Sequence, residues 1–79
     1  MKYVYILQSI EFPERFYVGL TIDVKQRLAE HNQGKAIHSN KYAPWRLKTC
    51  IAFSDEQQAD AFEVYLKTYS GRAFSIKRL

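Results

Sequence analysis

Residues 3–20 of the chain read YVYILQSIEFPERFYVGL, and this stretch decides the fold. Aromatic or aliphatic side chains fill every position from 3 to 7, which is typical of a central strand that is covered on both faces. A loop containing Pro13 follows, and the alternation resumes from residue 16 to residue 20, with Gly19 inside it. Two short runs joined by a polar loop predict a β-hairpin.

A helix is predicted directly after the hairpin. Asp23 opens a capping box and Gly34 is a typical helix stop, so we expect the first helix over residues 23–32. Arg27 and His31 are four residues apart in this helix, and side chains with that spacing lie on the same side. Both should therefore project from one rim of the helix.

Three more elements complete the predicted order. A third strand at the sheet edge is expected to bury one face, formed by Trp45, Leu47, Thr49, Ile51 and Phe53. A second helix should begin at Ser54 and end before Gly71, with four residues at core spacing, namely Ala59, Phe62, Leu66 and Tyr69. A short third helix is expected over residues 73–77. The order β-β-α-β-α-α predicts an α/β fold, with a small, mainly antiparallel three-stranded sheet flanked by helices.

Length and composition restrict the class of protein. A chain of 79 residues has room for one core, so we expect a single domain over residues 1–79. With 47% hydrophobic and 25% charged residues it resembles an ordinary globular protein. No apolar run approaches the length of a membrane span, and the single cysteine, Cys50, excludes an internal disulfide. We expect a cytoplasmic protein without a membrane partner or a disulfide-linked partner.

The charged residues are unevenly distributed. Six basic residues and one acid lie between positions 25 and 48, whereas four acids and no base lie between positions 55 and 63. The basic segment suits phosphate groups and predicts a nucleic-acid partner. The expected binding residues are Lys25, Lys35, Lys41 and Arg46. On charge alone, an ordinary mixed surface explains the same distribution equally well.

Five residues are candidates for chemistry, and each is ambiguous alone. Tyr5 is more simply a packed aromatic residue, whereas Tyr17 lies opposite the apolar side of its strand near a glycine that lets a ligand approach. Arg27 and His31 have the ordinary reading of surface residues with buried stems. Glu63 has that of a solvated helix charge, although it borders the buried face.

Together these residues follow a recognisable order. Tyr3-Val4-Tyr5 and Tyr17-Val18-Gly19 resemble the two signature tripeptides of the GIY-YIG nuclease superfamily. The matching positions that follow are Arg27 and His31, Gly34-Lys35, Lys41-Tyr42, Pro44-Trp45, Glu63 and the ending Ser70-Gly71-Arg72-Ala73-Phe74. The resemblance covers essentially the whole chain, which is similar to small stand-alone bacterial GIY-YIG proteins.

The resemblance implies a metal-dependent endonuclease that hydrolyses phosphodiester bonds, with DNA as the expected substrate. It implies that Glu63 holds one divalent cation, that Arg27 contacts the scissile phosphate and that His31 supports proton movement. Tyr5 and Tyr17 would line the reaction centre, with Gly19 in a structural role. One carboxylate with retained waters suits Mg²⁺ or Mn²⁺ better than zinc. We rank Tyr17 first as the base or water-orienting group and His31 second.

The sequence leaves other readings open. Many enzymes of the superfamily have an asparagine downstream of the metal-binding glutamate, but no asparagine follows Asn40 here, and Ser75 is the nearest polar substitute. The main alternative is therefore a nucleic-acid-binding module with little or no cleavage activity. A protein-interaction domain is a third reading, but it would need a broad apolar patch that the sequence does not demand. An accessory protein or a homodimer is compatible with each reading.

Overall fold

The computed structural model describes residues 1–36 and 38–79 and confirms the predicted α/β order. The elements are β1 (Lys2–Ser9), β2 (Phe16–Thr21), α1 (Val24–Asn32), β3 (Trp45–Phe53), α2 (Glu56–Leu66) and α3 (Tyr69–Arg78). The three strands form an antiparallel sheet in the order β2-β1-β3, so β1 is central as expected. Within the described residues, no helix has the length and apolar character needed to cross a bilayer.

Both faces of the sheet are buried, each against a different helix. On one face, which we call the α1 face, Tyr5, Leu7 and Trp45 pack against α1. On the opposite face, the α2 face, Val4 and Ile6 pack against α2. The uninterrupted apolar run of β1 supplies both cores, because successive side chains of a strand point to opposite faces. The helix α3 packs on α2.

The prediction that one face of β3 is buried from end to end is wrong, because β3 contains a bulge. Ile6 pairs with Thr49 but Leu7 pairs with Leu47, so Lys48 is an extra residue without a partner on β1. An extra residue shifts the alternation by one position. Trp45 and Leu47 therefore lie on the α1 face, while Thr49, Ile51 and Phe53 lie on the α2 face.

The ends of α1 follow the sequence signals. The Asp23 side chain accepts a hydrogen bond from the Gln26 amide and caps the first turn. At the other end Gly34 has a φ of 77°, and its amide donates to His31 O while the Lys35 amide donates to Glu30 O. This pair of bonds is a Schellman motif, which requires the left-handed conformation that glycine adopts without strain. The helix therefore stops where Gly34 predicts.

The C-terminal helices differ from the prediction in three ways. The residue that caps α2 is Asp55 rather than Ser54, since its carboxylate accepts from two amides of the first turn. Gly71 lies inside α3, which spans Tyr69–Arg78 and is longer than expected. A Cβ at Gly71 would lie 1.8 Å from Tyr65 O, so this glycine permits the close packing of α3 on α2. Tyr69, expected in the core, is 91% exposed.

The segment between α1 and β3 was expected to be a mobile loop that binds substrate. In its described part it contains a 3-10 turn at Asn40–Tyr42, and Ser39 just before this turn is buried. Residue 37 lies outside the described residues. The structure does not test the mobility of the segment or its contact with a substrate.

Candidate active site

Four of the five candidate residues lie close together on the α1 face. Tyr5 on β1 and Tyr17 on β2 stack with ring centroids 6.4 Å apart. The His31 ring meets Tyr17 edge-on at 4.6 Å, and its Nε2 lies 3.0 Å from the Tyr5 hydroxyl. Arg27, one turn before His31, is close enough to the same hydroxyl to affect its pKa. Sheet and helix thus bring two phenols, an imidazole and a guanidinium together.

The hydrogen bonds of this cluster have one consistent direction. Ser39 has a single hydroxyl proton, which it donates to Ala36 O at 3.3 Å. Its oxygen must then accept from Nδ1 of His31, so Nδ1 carries the imidazole proton. In a neutral ring, Nε2 is then an acceptor, and Tyr5 donates to it. The buried chain therefore runs from Tyr5 through His31 and Ser39 to a backbone carbonyl.

Burial keeps both ends of the central bond neutral. Desolvation, assisted by the charge of Arg27, lowers the pKa of His31 below its ordinary value of 6.5. Desolvation also raises the pKa of Tyr5 above 10.0, although the hydrogen bond and charge of Arg27 oppose this effect. At neutral pH, Tyr5 is a protonated donor and His31 an uncharged acceptor. His31 is also fully buried, and among the described residues Tyr5 is the hydrogen-bond partner of its Nε2.

A clamp at the end of α1 fixes the position of His31. The side-chain amide of Asn32 donates to Trp45 O at 2.9 Å and accepts from the Trp45 amide at 2.6 Å. The indole of Trp45 donates to Ser39 O at 2.9 Å. The first residue of β3 therefore holds both the helix that carries His31 and the serine that binds its Nδ1.

Gly19 creates the space that Tyr5 needs. The two residues pair directly across β1 and β2, and a Cβ at position 19 would lie 2.4 Å from the Tyr5 hydroxyl oxygen. Such a contact is not possible without moving the ring, whose Cζ would be only 2.5 Å away. The absence of a side chain at Gly19 therefore lets the Tyr5 hydroxyl reach His31.

The Tyr17 hydroxyl, in contrast, is available to solvent. It has no hydrogen-bond partner among residues 1–36 and 38–79, and the described residues contain no buried side-chain polar atom without a partner, so this hydroxyl cannot be buried. A cleft of about 510 Å³ lies on the α2 face, with Ile6, Val18 and Leu66 in its wall, and it is bordered by Tyr17, whose ring packs on the α1 face. The polar and charged residues that line the cleft with it are Glu14, Arg15, Lys67, Arg72 and Ser75.

Glu63, the fifth candidate, lies apart from the other four. It projects from α2, and its carboxylate pairs with Lys67 at 2.5 Å while its side chain is 13% exposed. In the described parts of the chain it makes no hydrogen bond with Tyr5, Tyr17, Arg27 or His31. Its partner Lys67 lines the cleft on the α2 face, whereas the other four candidates lie on the α1 face.

The donor set around Glu63 is suited to a hard cation that keeps most of its waters. The described residues contain no group of three or more His, Cys, Asp or Glu side chains that could form a protein cage for a metal. A single carboxylate with retained waters is a mode that Mg²⁺ accepts. The Lys67 ammonium lies beside this carboxylate, so a bound cation would have to take its place.

The predicted nucleic-acid-binding residues do not form one compact patch. Lys25 and Lys35, at opposite ends of α1, are both exposed. Lys41 lies over the Tyr42 ring at 5.6 Å, and Arg46 donates to Gln8 on the outer part of the sheet. Arg27 is tied to Glu30 at 2.7 Å, and this hydrogen bond, followed by that with Tyr5, raises the pKa of Arg27.

Sequence reasoning did not identify the residues that support the cluster. Ser39 lies in a polar segment without periodicity, so no local signal distinguishes it. Arg15 directly precedes β2, whereas Lys67 and Arg72 lie at the junction of α2 and α3, and only the folded chain brings them to one cleft. Their shared positive charge is a weak signal in a chain with a net charge of +4.

Comparisons with known proteins identify the family of the chain. The family model described as the GIY-YIG catalytic domain matches residues 1–77. The chain is 35% identical over 75 residues to a structure-specific endonuclease subunit SLX1 homolog of Giardia intestinalis, covering 90% of this chain but only 21% of that protein. It is 32% identical over 75 residues to a UPF0213 protein of Streptococcus pyogenes, covering 90% of this chain and 76% of the relative.

A second UPF0213 protein, from Halalkalibacterium halodurans, is 35% identical over 71 residues, covering 89% of this chain and 73% of the relative. The relatives therefore include both a much longer protein and proteins of nearly similar length. The match to the family model extends from β1 to α3 and includes all five candidate residues. The chain belongs to the family of GIY-YIG catalytic domains.

Proposed function

We propose that this chain is a divalent-metal-dependent endonuclease that hydrolyses phosphodiester bonds of DNA. The observation that carries the proposal is the convergence of Tyr5, Tyr17, Arg27 and His31 on one face of the sheet. Family membership supports an endonuclease, and the relative from Giardia is itself described as one. The choice of DNA and the role of each residue are part of the proposal.

Tyr17 is the group that orients or deprotonates the attacking water. Its hydroxyl has no partner among the described residues and is not buried, whereas the Tyr5 hydroxyl is buried and already donates to His31. Tyr5 and His31 act as a supporting pair, in which a proton that reaches Tyr5 is accepted by Nε2. His31 therefore does not contact the water directly, and the rings of Tyr5 and His31 hold the Tyr17 ring in position.

Arg27 binds the scissile phosphate. A guanidinium offers several donors in a fixed plane, and binding to phosphoryl oxygens stabilises the charge that develops there during hydrolysis. For this role Arg27 has to exchange part of its contact with Glu30, which is a half-exposed pair and therefore of low strength. Glu63 would hold the Mg²⁺ or Mn²⁺ ion, which would supply electrostatic stabilisation of the leaving oxygen.

Partner and location extend the same proposal. The Giardia relative is described as a subunit, which favours an accessory protein over action by this chain alone, although a homodimer is also compatible. The cytoplasmic location expected from the sequence stays a prediction.

The Glu63–Lys67 ion pair favours one alternative. If Lys67 keeps Glu63 neutralised, the domain binds nucleic acid without cutting it, and the pair takes the place of the metal. Within the described residues, Ser75 and Arg72 are the polar residues of α3 that line the cleft. The hydroxyl of Ser75 is a weak substitute for an asparagine amide, because the amide has both a carbonyl oxygen and an NH₂ group.

The main test measures cleavage of duplex, single-stranded, branched and RNA substrates with and without Mg²⁺ or Mn²⁺. Tyr17→Phe and Glu63→Ala should each reduce the rate by about 10²-fold or more, because a positioned proton acceptor commonly contributes ~10²–10⁴. The matched controls are Tyr69→Phe and Glu56→Ala, which remove the same groups at exposed positions. Both controls should cut at the wild-type rate.

Melting temperature and nucleic-acid affinity separate catalysis from folding. Tyr17→Phe removes a hydroxyl that has no partner in the described residues, so it should cost little stability. Wild-type cleavage by a folded Tyr17→Phe or Glu63→Ala variant would refute the assigned role of that residue. A wild-type protein that binds every substrate and cuts none would establish the binding module instead.

A further inference from the structure

The loop between β1 and β2 holds two side chains side by side. Phe12 and Arg15 are the ends of a four-residue turn, closed by a hydrogen bond of 2.8 Å from the Arg15 amide to Phe12 O. Pro13 follows Phe12 in this turn, and its carbonyl accepts a bond of 2.8 Å from the Gln8 side chain. The turn is therefore fixed internally and to β1.

A buried serine connects this turn to the 3-10 turn before β3. The Ser9 hydroxyl donates to Tyr42 O at 2.7 Å and accepts from the Phe12 amide at 3.1 Å. Ser9 is almost completely buried, so both hydrogen bonds are shielded from water. One side chain thus sets the distance between the two loops.

Aromatic and cationic side chains meet where the two loops join. The Phe12 ring lies edge-on to Tyr42 at 5.6 Å, and Phe12 is 42% exposed. Above the Tyr42 ring, Arg15 lies at 4.9 Å and Lys41 at 5.6 Å. We call Phe12, Arg15, Lys41 and Tyr42 the loop platform. It combines exposed π surface with two positive charges.

The loop platform adjoins the candidate active site. Tyr42 and Tyr17 both pack against the cluster of Tyr5, Leu7 and Trp45. Arg15 precedes Tyr17 by two positions, which in extended chain corresponds to roughly 7 Å. A nucleotide on the platform would therefore be within about one nucleotide spacing of Tyr17.

We infer that the loop platform binds an unpaired nucleotide next to the bond that is cut, so that the enzyme selects DNA with a single-stranded segment over continuous duplex. Bases stack on aromatic rings and on guanidinium planes, and the phosphates of the same strand are attracted to Arg15 and Lys41. In a continuous duplex the base faces are occupied by neighbouring bases. This inference rests on the proposed action on nucleic acid.

The experiment measures binding without divalent metal, so that no cleavage occurs. Fluorescence anisotropy would compare a single strand, a blunt duplex and a duplex with a single-stranded flap, with an RNA strand as a further arm. Phe12→Leu keeps the packing of an apolar side chain but removes the ring. It should weaken binding to the single strand and the flap by about fivefold to a hundredfold, because a stacked base contributes ~1–3 kcal/mol. Duplex binding should stay within about twofold of wild type.

Phe74→Leu is the matched control. Phe74 on α3 is 37% exposed, and its ring centroid lies 6.1 Å from that of Tyr65, so its environment is similar to that of Phe12. This variant should bind all substrates like the wild type, and Phe12→Trp should restore single-strand binding. A 2-aminopurine base in the flap should be quenched by the wild type and by Phe12→Trp, but less by Phe12→Leu.

Three results would overturn the inference: equal losses on duplex and flap, no loss in Phe12→Leu, or a loss of the same size in Phe74→Leu. The nuclease proposal is judged separately by metal-dependent cleavage. A Phe12→Leu effect in a protein that never cuts DNA would support the loop platform and refute the nuclease. Metal-dependent cleavage without any effect of Phe12→Leu on binding would support the nuclease and refute the loop platform.

Discussion

Replacing Gly19 with alanine tests whether the position of the Tyr5 hydroxyl matters for activity. The added Cβ would lie 2.4 Å from this oxygen and 2.5 Å from Cζ, whereas ordinary contacts begin at 3.4 Å. The ring therefore has to move by roughly 1 Å in a close-packed core. That displacement lengthens the 3.0 Å bond to His31 beyond hydrogen-bonding distance.

Two magnitudes follow for Gly19→Ala. Overpacking of a core commonly costs about 1–3 kcal/mol of unfolding free energy. Part of that cost is offset because alanine restricts the unfolded chain, which stabilises by ~0.4–1 kcal/mol. A misplacement of about 1 Å in a catalytic arrangement can cost ~10²-fold in rate. We therefore expect a folded protein with a lower melting temperature and about a hundredfold slower cleavage.

The assay combines chemical denaturation with single-turnover cleavage for Gly19→Ala, Tyr5→Leu and the double variant. Leucine removes the ring atoms that the new Cβ would meet, so the double variant should be no less stable than Tyr5→Leu alone. Strictly additive losses of stability would show that the clash is not with Tyr5. An unchanged cleavage rate in Gly19→Ala would refute the importance of the Tyr5–His31 bond.

The remaining predictions concern pH, metal and salt. Burial lowers the pKa of His31 below 6.5 in the folded protein, so the unfolded chain binds this proton more tightly. The contribution of His31 to stability is therefore complete above about pH 6.5 and is lost as the pH falls through the lower pKa of the folded state. Between pH 7.5 and 5 the melting temperature should fall less in His31→Asn than in wild type, and equal slopes would contradict this. Lys67→Met removes the ion pair of Glu63, which is worth ~1 kcal/mol or less, so half-maximal cleavage should need up to about fivefold less Mg²⁺. A higher Mg²⁺ concentration at half-maximal cleavage would show that the ion pair assists the site. Replacing Lys35 and Lys41 together should weaken binding to all sequences alike. The slope of log affinity against log salt concentration should become shallower by about 2, since each phosphate contact on duplex DNA contributes ~0.9. A change limited to one sequence would indicate base readout.

The sequence predicts the parts of the fold that have local causes. The apolar run of β1 predicts a central strand because only such a strand buries both faces. The limits of α1 follow from Asp23 and Gly34, which make the expected capping bonds. The bulge at Lys48 has no such signal. Apolar and polar residues alternate along the sequence of β3 whether or not one residue is unpaired, so only the register with β1 reveals the bulge. Gly71 misleads for a related reason: its small size serves a contact with Tyr65 O, not a helix end.

The candidate site divides in the same way. Tyr5, Tyr17, Arg27 and His31 are brought together by two paired strands and one adjacent helix, which short-range reasoning can anticipate. Glu63 comes from a helix on the other face of the sheet, and its pairing with Lys67 is a choice between rotamers that sequence spacing does not determine. The chemical roles of all five residues stay predictions.

Burial of the Tyr5–His31–Ser39 chain makes these residues poor markers of activity. In many enzymes polar active-site groups reduce stability, so a lineage that no longer needs catalysis replaces them easily. Here Tyr5 is a large core side chain, and His31 and Ser39 satisfy each other in the interior. A descendant that had stopped cutting nucleic acid would still keep them in order to fold. Loss of Tyr17 or Glu63, whose polar ends serve no buried hydrogen bond, is the change by which such a descendant would be recognised.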